Sequence, residues 1–279
     1  MEEEREAPAL GEEAAAEETG VVALSEGAAA EETGVVVDWA LLRTREILTN
    51  ESLRDRVKRW CDGQREGLPP ISTWNTSRVT DVRWLFKGQT KFNDDISAWN
   101  TSSVRTMSWM FRGASSFNQP LNGWRVDNVT DMRGMFREAS SFNQPLNDWR
   151  VDKVERMEHM FHGASSFNQP LNDWRVDNVT DMYNMFKNAS AFNQPLNDWR
   201  VDKVTNMGCM FENALAFNQP IGDWRVDNVT NMHSMFSQAS SFDQPLGDWR
   251  LMCNCDTEHM LDADFQNSRP VKASCCAIS

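Results

Sequence analysis

The sequence predicts an α/β repeat solenoid with one short parallel strand and one short helix in each 25-residue coil, preceded by a helical cap. Three observations predict it. Tryptophan stands at Trp74, Trp99, Trp124, Trp149, Trp174, Trp199, Trp224 and Trp249, always 25 residues apart. The residues around each tryptophan return with it, and an amphipathic segment stands just before the array. A fixed period of this size marks units that bury their apolar side only by stacking on their neighbours.

The first 37 residues form an acidic tail holding eleven Glu against the single Arg5, about -10 of the formal net charge of -13. Its large apolar side chains are too few to offset the entropy of ordering, which predicts disorder over 1–37. The rest of the chain carries only about -3 and no basic stripe, which argues against nucleic acid as a partner.

Residues 38–68 read as the helical N-terminal cap. Leu53, Val57 and Trp60 follow i, i+4, i+7 spacing, and Asn50 or Ser52 can cap the second of two helical segments. Such a cap covers the open apolar side of the first coil.

The array is expected over 69–264, about 7.5 repeats. One unit, Pro120 to Gln144, reads PLNGWRVDNVTDMRGMFREASSFNQ. Leu121, Trp124 and Val126 form an L-x-x-W-x-V phrase equivalent to the strand of leucine-rich repeats, so the coil is leucine-rich-repeat-like. Val129, Met132, Met135, Phe136 and Ala139 follow helical spacing and predict the short helix. Trp and Met columns are read as core filling. Asn254, Thr257 and Asp264 put polar groups in otherwise apolar slots, as a closing coil requires. Residues 265–279 are read as a flexible tail.

The phrase V-T-D-M-x-x-M-F-x-x-A-x-x-F-N-Q-P-L-x-x-W, from Val129 to Trp149 and again from Val179 to Trp199, resembles the BspA-like leucine-rich-repeat surface-protein family, whose 25-residue unit was first catalogued as a mycoplasma domain of unknown function. The resemblance covers about Ile71 to Leu261. It implies a non-catalytic solenoid used for adhesion or recognition, often on cell surfaces, and supplies no catalytic residue.

The candidate binding face follows from the strand register. Side chains between the buried ones face out of a concave sheet, giving a row of Arg125, Arg150, Arg175, Arg200, Arg225 and Arg250. Asp148, Asp173, Asp198, Asp223 and Asp248 flank it on one side, and Asp127, Asp152, Asp177, Asp202 and Asp227 on the other. This pattern reads either as a self-satisfied salt ladder or as a charged surface for a protein or glycan; the arginines argue against calcium on the Asp columns. The His residues form no H-E-x-x-H pattern, and Cys253, Cys255 and His259 lack a fourth zinc ligand. No catalytic set, cofactor or metal is therefore expected.

The acidic start lacks the basic patch and apolar run of an export signal, so the expected location is cytoplasmic, or the cell surface if a leader is missing. The last four residues, Cys276 to Ser279, match the C-a-a-X prenylation box, with Cys275 as a second acylation site. The alternative function is accordingly a prenyl-anchored peripheral membrane scaffold that recruits a partner to the cytosolic leaflet.

Overall fold

The chain divides into Met1–Asp38 and Trp39–Ser279. The computed structural model describes residues 46–263 and 265–272, all within the second unit. The acidic tail and the C-a-a-X box lie outside the described residues.

Helix α1 spans Asn50–Cys61. Its capping residue is Thr49 rather than Asn50 or Ser52: Thr49 Oγ1 accepts from Ser52 N, and Ser52 Oγ accepts from Thr49 N at 2.9 Å, a reciprocal capping box. That leaves Asn50 free for a different task. Its Oδ1 accepts from Thr80 N at 2.8 Å and Asp81 N at 3.2 Å, so the helix satisfies donors of the first coil that otherwise face no preceding coil. Leu53, Val57 and Trp60 are buried, as their spacing predicts. Trp60 meets Trp74 edge-on with ring centroids 5.7 Å apart, closing one end of the tryptophan column.

Beyond α1, each coil stacks in parallel on the next with a 25-residue offset. Isolated parallel bridges join Asp81, Thr106, Asp131, Arg156, Asp181, Asn206, Asn231 and Asp256 in sequence. The backbone ladder therefore passes through Asp131, where a helix is expected, and not through Leu121 to Val126, where a strand is expected. In the coil from Asp131 to Ala139, N–H groups alternate in direction. Those of Met132, Gly134, Phe136 and Glu138 donate to the carbonyls of Arg156, Glu158, Met160 and His162 on the next coil, at 2.7–3.0 Å. Those of Met135, Arg137 and Ala139 close turns onto Met132, Gly134 and Phe136.

Backbone alternation of this kind needs a left-handed residue at every fourth place. Gly134 has φ +54° and Glu138 φ +61°. The place of Glu138 carries Gly88, Gly113, Gly163, Asn188 and Asn213 at positive φ, residue types that adopt this region at least cost, whereas the place of Gly134 holds Trp84, Trp109, His159, Asn184, Cys209, Ser234 and His259 in the same region. The apolar side chains every three or four residues thus sit on consecutive three-residue turns, a period that overlaps that of the α-helix.

Inside the stack, phenylalanines form two parallel columns. Phe136 and Phe142 lie 4.0 Å apart within a coil, while Phe136 lies 5.7 Å from Phe161 and Phe142 6.0 Å from Phe167. Trp149 and Trp174 stack at 6.3 Å, and each buried indole N–H reaches back to the coil before, Trp149 to Leu121 O and Trp174 to Leu146 O. The tryptophans are core, as their column predicts.

At the far end, Leu246 N donates to Ser268 O, and β1 (Arg250–Leu251) pairs in parallel with β2 (Val271–Lys272). The segment expected as a flexible tail thus begins as packed structure: Phe265 stacks on Phe242 at 6.1 Å, and Asn267 Nδ2 donates to Asp243. No helix among the described residues is long and apolar enough to cross a membrane.

Candidate functional site: the turn ladder and the arginine row

The six arginines of the predicted row are all exposed. Arg125 donates to Asp127 at 3.0 Å, which holds that carboxyl below the usual carboxylate range; Arg150 lies 3.8 Å from Asp152, and Arg225 lies between Asp202 and Asp227 at 3.3 and 3.7 Å. Among the described residues Arg175 and Arg200 pair with no carboxylate.

The opposite Asp flank does not serve these arginines. Asp148 takes a hydrogen bond from Asn122 and gives its own N–H to Asn122 Oδ1, and Asp198 does the same with Asn172. An amide can donate to a carboxylate and also accept from the backbone, whereas guanidinium only donates, so Asn wins this position. Asp173 and Asp223 stand exposed beside the row. A two-sided salt ladder is therefore not formed.

A second surface, which the sequence reading passed over, lies along the turn ladder. The x positions of the M-x-x-M-F-x-x-A phrase differ from coil to coil: Arg133, Gly134, Arg137 and Glu138 are followed by Glu158, His159, His162 and Gly163, then by Tyr183, Asn184, Lys187 and Asn188. The coil buries Met132, Met135, Phe136 and Ala139 and leaves Arg133, Arg137 and Glu138 outside. The inter-coil ladder then lines up the outer set on one face. Every other turn of the coil repeats nearly the same residues, so the signal that marks this face is variation within an otherwise repetitive chain.

The face has two chemical characters. At its N-terminal end Trp84 is 53 % exposed, with the Arg83 guanidinium 5.8 Å from its ring centroid. Trp109 lies under Arg112 at 5.6 Å and covers Gly134, where an added Cβ would sit 2.0 Å from the indole. Further along, His159 packs edge-on to Tyr183 at 5.4 Å and stacks on His162 at 5.7 Å. Burial and the nearby Arg137 charge push His162 down to about 4, so both rings are neutral at pH 7. Burial pushes Glu158 up despite Arg156 and Arg133 beside it, and Glu158 Oε2 and Asn184 Oδ1 are buried acceptors with no donor among the described residues. Burial also pushes the Cys209 thiol up to about 11, which suits a packing role better than nucleophilic attack.

The predicted lipidation residues Cys275 and Cys276 lie outside the described residues. Cys255 is buried and Cys253 exposed, and His259 lies beside Glu258 rather than the thiols. The family model described as "Mycoplasma protein of unknown function, DUF285" matches residues 57–174 and again 161–273. No curated protein matches the chain, and no solved structure does.

Proposed function

We propose that this chain, which belongs to the DUF285 family of mycoplasma proteins of unknown function, is a non-catalytic interaction scaffold of the BspA-like leucine-rich-repeat type whose solenoid binds a protein or glycan. One observation carries the reading: side chains that vary between otherwise repetitive coils gather on one ladder face, headed by the exposed Trp84 beside Arg83. Exposed aromatic and Arg side chains are the types that anchor interfaces. The arginine row is the same in the six coils from Arg125 to Arg250, with Asn75 and Asn100 at its place before them, which suits general attraction of a negatively charged partner more than discrimination between partners.

Capture of partners from native cells by the immobilised full chain separates these parts. Trp84→Ala together with Tyr183→Ala is expected to abolish capture. Replacing Arg150, Arg175 and Arg200 by Gln is expected to weaken capture at low salt and to make little difference at high salt, since exposed charges are screened. Equal capture by both variants and the parent chain would remove the scaffold reading.

The prenyl-anchored alternative rests on Cys276 to Ser279. It predicts a farnesyl group on Cys276 and loss of Ala277 to Ser279. Intact mass spectrometry of native protein ending in an unmodified Ser279 rejects it.

A further inference from the structure

We propose that His233, Asp256 and Glu258, with His259 as fourth ligand, form a surface site for a zinc-class divalent cation that clamps the last two coils together. One ligand atom from each of the first three residues lies within 4.8 Å of the others. His233 Nδ1 stands 3.9 Å from Asp256 Oδ2 and 4.0 Å from Glu258 Oε2, and His259 Nε2 is 3.4 Å from Glu258 Oε1.

The backbone builds this cluster. Met232 N donates to Asp256 O at 2.7 Å and Ser234 N to Glu258 O at 2.9 Å, so the two coils are tied on both sides of His233. Asp256 Oδ1 is occupied by Glu258 N at 2.9 Å, which turns Oδ2 towards the imidazole. Among the described residues no Lys or Arg forms an ion pair with either carboxylate, and the neighbouring Lys272 Nζ is taken up by Cys255 O at 2.9 Å.

Zinc bonds of about 2.0–2.2 Å in a tetrahedral site bring ligand atoms roughly 3.3–3.6 Å apart. The spacings of 3.9 and 4.0 Å around His233 contract to that range by rotation of exposed side chains, and His259, which meets the cluster at Glu258 Oε1, has to swing in to complete it. Imidazole nitrogen with carboxylate oxygen suits zinc, nickel or copper better than calcium or magnesium, which take oxygen alone. Earlier coils do not repeat the set. At the places of His233 and Glu258 they carry Arg83, Ser108, Arg133, Glu158, Tyr183 and Gly208, so the cluster belongs to the final stack contact alone.

Titration of the chelator-stripped full chain with zinc chloride by calorimetry tests the site. One equivalent should bind at micromolar affinity and raise the thermal midpoint, because a ligand bound by the folded state alone stabilises it. His233→Asn and Glu258→Gln should each weaken binding at least tenfold without lowering the metal-free midpoint, while Cys253→Ser should leave binding unchanged. Cobalt in place of zinc should give visible bands without thiolate charge transfer. A thiolate band, loss of binding in Cys253→Ser, or undiminished binding in the His233→Asn and Glu258→Gln variants would overturn the proposal.

Discussion

Trp174 shows how one side chain serves two coils. Its ring is 2 % exposed and stacks on Trp149, while Nε1 donates to Leu146 O at 3.0 Å. Trp174→Ala deletes both packing and that bond, and a denaturant titration should show a loss of about 3–5 kcal/mol. A change under about 1 kcal/mol would place the indole outside the core. His162 gives a pH signature. Its folded value, about 4, lies below the ordinary value of 6.5, so the unfolded chain binds the additional proton between those limits. The stability it contributes is fully present above pH 6.5 and is lost progressively as pH falls towards 4. Thermal melts of the parent chain should therefore drop more steeply over that window than melts of His162→Gln. Parallel curves would show that the imidazole is solvated.

At the scale of the element, the F-N-Q phrase is a polar ladder beside the phenylalanine columns. Asn168 Oδ1 accepts from Asn193 N at 2.9 Å and Gln194 Nε2 at 3.0 Å, and Asn143 Oδ1 accepts likewise from Asn168 N and Gln169 Nε2. Asn168→Ala strands two donors and should cost about 1–3 kcal/mol in a denaturant melt, whereas Asn168→Asp, which keeps the acceptor, should lose less. Asp243 already occupies this place at the last Asn position and accepts from Asn267. The core was legible in the sequence because burial follows apolar periodicity directly: the Trp, Met and Phe columns need only the 25-residue register. The backbone path was not, because Val129, Met132, Met135, Phe136 and Ala139 suit consecutive turns as well as a helix. The deciding signal was the Gly and Asn recurring at the place of Glu138, as Gly88, Gly113, Gly163, Asn188 and Asn213, a backbone demand that apolar periodicity does not register; the place of Gly134 carries no such signal. The same blindness hid the candidate face, since a strand at Leu121 to Val126 points attention to the arginines.

Across the whole array, what repeats lies apart from what varies. Identical Trp, Phe, Asn and Met columns make each coil an acceptable neighbour for any other, so the outer positions of the turn ladder are free to differ. That separation is why the varied face, rather than the uniform arginine row, is expected to set partner identity. It depends on the ladder running through Asp131 to Glu138, and residue-resolved amide hydrogen exchange tests this directly. Slow exchange is expected at Met132, Gly134, Phe136 and Glu138, whose N–H groups bridge to the next coil, and at Asn143, bound to Asn118 Oδ1. Arg125, whose N–H has no acceptor among the described residues, should exchange fast. Slow exchange at Arg125 together with fast exchange at Gly134 and Glu138 would place the ladder on the arginine side instead.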